Sequence, residues 1–500
     1  MLKKAAVLFL TAFFCFLLVS VIQTSRVPGS LLIAVPALPQ PGELLQVPDS
    51  ETGGFLPNVY EGLVRFKPGS CEVLPHLATE WRLSPDGRTW TFKLRPGVRF
   101  HNGQVLNAAL VKEAFNQKLQ ATTRFPHFRF LFGMIQGITV PDPMHISFRL
   151  KYPYTPFLRN LALPQAAISI PGTPPAGTGP YRIEAIKRNK ITLRAFNRYR
   201  GQKPAFETVC LQAVPDANKR LNLLKKKARV IALNLPPAAT RSLPPSTITR
   251  TTAPSLSYLG FYTSKPPFDN PAARRTAALA LDRNRLCYTL YDGLLPAAKG
   301  PLPPVVFSSD PKVSSPPPDR AKACDLARTT GLKGRSLTLL TYTGTRPYNP
   351  AGGTRLAAEV KRQLETAGLK VNIRYYPWED LKAAIARQEG DAFLYGWVSD
   401  NGDPDNFFCL LSGSPIARRL NTTRYRNPVL EALLARGQQL PDSPVRAKIY
   451  REAQAIVTRD FPFVSLNYGA HIAACTPELE GFILYPLGTY DLAKIKQRQH

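Results

Sequence analysis

The sequence predicts an α/β protein in which mixed sheets are covered by helices. Three observations carry that reading. Stretches of period two alternate along the chain with stretches of helical period. Of the 500 residues, 44% are hydrophobic and 10% aromatic, ample for packed cores and enough to exclude a largely disordered or fibrous chain. After the N-terminal segment, no apolar run reaches the roughly 18 residues that a membrane span needs. A chain of this length is expected to form two or three domains.

The elements follow in chain order. Lys3 and Lys4 precede an apolar run from Ala5 to Ile22, and polar Gln23 to Arg26 follow it, which is the layout of an export signal. As a helix the run would extend roughly 27 Å, so residues 1–27 are read either as a signal peptide or as a retained membrane anchor. Both options place the rest of the chain in the periplasm or on the outer face of the cytoplasmic membrane. Thr89 to Leu94 alternates with period two after the turn Ser84-Pro85-Asp86-Gly87 and predicts a strand. Beyond the turn Phe100 to Gly103, Asn107 is the expected N-cap of a helix with Ala108, Val111, Phe115 and Leu119 on one face. Tyr181 to Ile183 and Ile191 to Phe196 predict strands joined by the turn Lys187 to Lys190. Leu256 to Tyr262 predicts a further strand, and Pro271 to Tyr291 one helix with Pro in its first turn. Thr354 to Ala367 predicts a helix that ends at Gly368 and leads into a strand from Lys370 to Tyr376. Later helices are expected over Glu379 to Gln388, Pro428 to Gly437 and Val445 to Asp460. The Pro-rich stretches Pro236 to Pro245 and Pro301 to Pro318 predict loops or semi-rigid linkers.

The formal charge of +31 is spread along the chain and favours encounter with anionic partners without specifying a fold. Lys225, Lys226 and Lys227 with Arg220 and Arg229 form its densest cluster. With no interleaved aromatic platform, a solvated helix face is the better reading than a nucleic-acid site. Beyond residue 27 the six cysteines Cys71, Cys210, Cys287, Cys324, Cys409 and Cys475 are widely spaced and lack C-x-x-C. In an oxidising compartment they permit either disulfides or buried thiols. No histidine pair has metal-ligand spacing, no G-x-S-x-G is present, and Gly177-Thr178-Gly179-Pro180 lacks the Lys of a phosphate loop. Asp400 to Asp405 concentrates three carboxylates, but an EF-hand would need Gly at Asp405 and Glu at Leu411. These readings give no catalytic constellation, no metal and no cofactor.

Three further segments are more specific in combination. Val59-Tyr60-Glu61-Gly62-Leu63-Val64, Leu74-Pro75-His76-Leu77-Ala78-Thr79-Glu80-Trp81 and the run from Ser84 to Gly103 together resemble the signature region of family 5 extracellular solute-binding proteins. The likeness continues in order through Gly177 to Tyr181, Ala273 to Arg285, Gly300 to Pro304 and Gly396 to Phe407. These proteins serve the peptide and nickel ABC importers.

That resemblance implies a two-lobed periplasmic-binding-protein fold of the large peptide-binding class, with mixed sheets and a hinged ligand cleft. Lobe I would comprise residues 28–255 with the return 466–500, and lobe II residues 256–465, so that the chain crosses near Leu256 and near Ser465. Arg346-Pro347-Tyr348-Asn349-Pro350 and Gly396 to Phe407 are most similar to segments of dipeptide-binding proteins. Arg346 would then hold a peptide's C-terminal carboxylate and Asp400 its N-terminal ammonium, with Tyr348, Trp397, Gly402 and Asp403 also among the ligand-binding residues. A zwitterion suits such a pair, because a planar guanidinium grips a carboxylate bidentately. The partners implied are a short peptide and the permease subunits, with no nucleic acid. A haem, glutathione or nickel-chelate receptor of the same fold, or a membrane-anchored sensor without transport, remains the alternative. The short Pro-rich stretch between Leu161 and Gly177, the basic segment Ser412 to Arg424 and the unmatched Pro36 to Gly53 depart from the family pattern.

Overall fold

The computed structural model describes residues 29–40, 44–45, 50–226, 228–413 and 420–498. The apolar run 5–22, and with it the expected signal peptide or anchor, lies outside them, and among the described residues no helix is long and apolar enough to cross a membrane. Ten strands form one mixed sheet. Their spatial order is Lys370–Tyr376, Ser336–Tyr342, Ala392–Val398, Ile248–Phe261, Phe463–Cys475, Val230–Ala232, Ser30–Val35, Thr208–Ala213, Lys190–Ala195 and Tyr181–Lys187. Ser30–Val35 lies parallel to both its neighbours, and its near-continuous apolar sequence Leu31-Leu32-Ile33-Ala34-Val35 is that of a strand covered on both faces.

Two long strands join the halves of this sheet. Thr252 to Ile248 pairs antiparallel with Ala470 to Ala474, and Leu256 to Gly260 pairs with Tyr468 to Phe463, with register shifts between Thr252 and Leu256 and between Ser257 and Tyr258. The interruption opposes Ala253 to Ser255 to Gly469, where an added Cβ would displace the Ser255 hydroxyl. On one side of the break Phe463–Cys475 pairs with Val230–Ala232, and on the other Ile248–Phe261 pairs with Ala392–Val398.

A separate four-stranded sheet is ordered Ala78–Leu83, Thr89–Leu94, His145–Leu150, Ile135–Asp142, and it has its own aromatic core. Phe148 packs edge-on against Phe92 and Phe115, and Phe115 against Phe132. Trp90, Phe92 and Leu94 face that core, as the period-two pattern predicts. The helix Ala108–Gln120 covers it, and Asn107 caps that helix by accepting from Leu110 N at 3.0 Å.

The predicted strands and helices after residue 180 are present with ends displaced by a few residues, apart from two. The strand expected over Leu256 to Tyr262 runs from Ile248 to Phe261, because its first residues, Ile248 to Thr252, are mostly polar and half-buried and lack the continuous apolar run that marks the second half. The single helix expected over Pro271 to Tyr291 is two, Pro271–Ala280 and Arg283–Tyr291. Leu281 is extended, and the Asp282 carboxylate accepts from Arg285 N at 3.0 Å, so it caps a new helix instead of continuing the old one. Arg220 also differs from expectation. It is 3% exposed and donates to the carbonyls of Val214, Pro215 and Asn234, so it anchors a loop and does not belong to a solvated face. The six described cysteines are all free thiols.

Candidate functional site

Three neighbouring parallel strands, Lys370–Tyr376, Ser336–Tyr342 and Ala392–Val398, end at one edge of the sheet. The residues just past their carboxyl ends are Trp378, Arg346 and Asp400, and such ends are where open α/β sheets place ligands. The turn carrying Arg346 is fixed by reciprocal backbone hydrogen bonds, Arg346 N to Asn349 O at 3.1 Å and Asn349 N to Arg346 O at 2.8 Å. Asn349 is itself wholly buried, donating to Tyr342 Oη at 2.8 Å and accepting from Tyr291 Oη at 2.9 Å.

The Arg346 guanidinium stacks on the Trp378 ring at 3.7 Å, and Trp378 stacks in turn on Tyr395 at 4.8 Å with their planes 10° apart. This holds the planar fork by its face and leaves its edge for hydrogen bonding. Neither Arg346 nor Asp400 has an ion-pair partner among the described residues, and Arg346 Nε is buried without a hydrogen-bond partner. Asp400 is open to solvent yet recessed among protein atoms. That desolvation raises its carboxyl above the ordinary 3.8, against the opposing pull of Asn406. A cationic group brought to it would reverse the shift.

The other expected residues fall into two groups. Trp397 is half-buried and donates from Nε1 to Asn406 Oδ1 at 2.8 Å, and Tyr348 packs its ring where Gly396 lacks a Cβ, leaving its hydroxyl without a partner. Tyr348 thus lies near Arg346, and Trp397 shares Asn406 with Asp400. Gly402 and Asp403 face elsewhere. Gly402 has φ of +66°, and an added Cβ would run into the Cys71 side chain, so the loop needs glycine for both conformation and space. Asp403 is 0% exposed. Burial would raise its carboxyl, but Arg446 at 2.8 Å and Arg159 at 3.0 Å overcome this and hold it below the ordinary 3.8. Both its oxygens are therefore taken by protein, and the expectation that it meets a ligand is corrected to a role in anchoring the loop.

Trp378, Tyr395 and the buried, unpartnered hydroxyls of Ser255 and Ser257 were not found from the sequence. Trp378 alone left a signal, an aromatic after Pro377 at the end of a predicted strand. A cavity of about 640 Å³ lies apart from these residues, bordered by Tyr60, Glu61, His76, Arg95 and Arg200. Its central Glu61 is already engaged by His76 at 2.9 Å, Arg200 at 2.6 Å, Tyr199 and Thr178, so the acid serves the fold.

A profile of the family described as "Bacterial extracellular solute-binding proteins, family 5 Middle" matches residues 72–418. The chain is 28% identical over 474 positions to the dipeptide-binding protein of Escherichia coli (strain K12), covering 87% of this chain and 88% of that one. It is 29% identical over 471 positions to heme-binding protein A of Haemophilus influenzae, covering 87% and 85%. Among solved structures, that of HbpA2 from Haemophilus parasuis superposes with a TM-score of 0.83 at 24% identity over 94% of this chain and 100% of that one, a likeness of fold.

Proposed function

The chain belongs to the family 5 bacterial extracellular solute-binding proteins, a family of solute binders and not of enzymes, and from that premise we propose that it captures dipeptides or short peptides between two closing lobes and delivers them to the permease of an ABC importer. The observation that carries this reading is the unpartnered, aromatic-stacked Arg346 with Asp400 past the end of the adjacent strand. Arg346 receives the peptide carboxylate and Asp400 its ammonium, while Tyr348, Trp397 and Trp378 border the backbone between them. Two fixed charges of opposite sign select length, and side chains vary with little penalty where their surroundings stay wet.

The lobes divide at the interruption in the two long strands, near Ala253 to Ser255 and near Gly469, a few residues from the crossings expected at Leu256 and Ser465. Residues 28–252 with 470–500 then form lobe I, and residues 253–469 lobe II. Residues 1–27 direct export or hold the receptor at the outer face of the membrane.

A calorimetric and thermal-shift panel of dipeptides, tripeptides, free amino acids, haem, glutathione and nickel chelates tests the reading. Selective stabilisation by dipeptides is expected, about 2.7 kcal/mol at 100 times the dissociation constant. A response confined to haem, glutathione or nickel would overturn it.

A further inference from the structure

Arg159 lies on the short helix Phe157–Asn160, part of the unit built on the four-stranded sheet, and its guanidinium ends inside the opposite lobe. There it completes a ring of four charges. Arg159 donates to one oxygen of Asp403 at 3.0 Å and to Asp442 at 2.8 Å, while Arg446 donates to the other oxygen of Asp403 at 2.8 Å and to Asp442 at 2.7 Å. The remaining Nε donors are also used, Arg159 on Cys71 O at 3.2 Å and Arg446 on Gly437 O at 2.8 Å. Phe307 lies against both guanidinium groups, at 5.4 and 5.6 Å. Arg159, Asp403 and Arg446 are at most 1% exposed, and only Asp442, at 34%, reaches solvent.

The ring is electrically balanced and fully hydrogen-bonded, the condition under which buried charges hold a geometry. Three further contacts tie the same surfaces: Asn401 Nδ2 to Asn160 Oδ1 at 2.7 Å, Cys71 N to Val305 O at 3.0 Å and Thr155 N to Gln438 O at 2.8 Å. Asp403 follows Asp400 by three residues, and between them Asn401 is held by Asn160 while Gly402 N donates to Ser399 Oγ at 2.9 Å. The placement of the Asp400 loop thus depends on a unit distant in sequence, with Arg159 and Asp403 separated by 244 positions.

We propose that Arg159 is a positioning residue, clasping lobe II from the four-stranded-sheet unit through Asp403, Asp442 and Arg446 and thereby fixing the loop that carries Asp400. The consequence for a ligand rests on Asp400 receiving an ammonium group, as proposed above; the clasp itself does not. A guanidinium suits the place because one planar fork serves two carboxylates and a carbonyl together, whereas an ammonium is a single point charge.

Hydrogen exchange of the full chain, measured with and without Gly-Leu, tests the clasp directly in whichever state has the lobes closed. In Arg159→Met, amides of residues 399–406 should exchange at least about tenfold faster, with Arg159→Lys intermediate and those of Thr89–Leu94 unchanged. Dissociation of a dipeptide probe, Gly-Leu, should accelerate by at least about tenfold with little change in association. Unchanged exchange at 399–406, or faster exchange throughout the protein, overturns the clasp, and a looser loop with unchanged dissociation overturns the positioning role. A looser loop in a protein that binds no dipeptide even as wild type supports the clasp and removes the peptide reading. Should Arg159→Met fail to fold, Asp442→Asn at the partly exposed corner carries the same outcomes.

Discussion

Asp405 offers the sharpest test of the electrostatics around the loop that carries Asp400. It lies in the helix Pro404–Phe408 immediately after Asp403, is 8% exposed and accepts from Gln438 Nε2 at 2.7 Å. Burial first, and then the charge of Asp403, raise its carboxyl from 3.8 to about 7, against the opposing effects of Gln438 and Arg446. Between those two values the folded chain holds a proton that the unfolded chain has released, so this group lowers stability as the pH climbs from about 4 to about 7 and has no further effect above. A span of about three pH units, at about 1.36 kcal/mol each, makes the full cost about 4 kcal/mol above neutrality. Asp405→Asn keeps the shape and the acceptor for Gln438 but cannot ionise. It should match wild type near pH 4 and exceed it by up to about 4 kcal/mol at pH 8. Urea unfolding followed by tryptophan fluorescence at several pH values, with midpoints compared at constant slope, reads the difference. A gap that is the same at every pH, or one that closes as the pH rises, would refute the reasoning.

Other expectations concern single side chains. Arg346→Ala should cost a carboxylate-terminated dipeptide more than about 2 kcal/mol of calorimetric affinity, since its carboxylate loses a stacked, desolvated partner; unchanged affinity would remove Arg346 from the site. Burial would raise Glu61, but His76 and Arg200 more than offset this and hold it at about 2, below its ordinary 4.5. Its contribution of about 3 kcal/mol is present above about pH 4.5 and is lost as the pH falls through 2, so the deficit of Glu61→Gln in acid-unfolding scans should shrink toward pH 2. Gly402→Ala should destabilise by more than about 2 kcal/mol in thermal unfolding, because a left-handed backbone and Cys71 Sγ both oppose a Cβ. A neutral substitution there would mean that the loop relaxes without loss.

Much of the local structure was determined by the sequence alone, because a period of two or 3.6 states which face of a segment is buried, and a cap such as Asn107 acts within three residues. Thr89–Leu94, the helix at Ala108 and the strand Lys370–Tyr376 were legible for that reason. Arg346 and Asp400 could be singled out only through a family pattern, since nothing local distinguishes an arginine in a turn from one placed to meet a ligand. Tertiary structure alone decided the rest. Asp403 reads as a third acid in a polar loop until Arg159 and Arg446 arrive from 244 positions before and 43 after it. Trp378 becomes a platform for Arg346 because two parallel strands lie side by side, and Gly402 becomes obligatory because Cys71 meets it from another unit. Such pairings depend on which elements the topology brings together, and no residue carries that information in its neighbours along the chain.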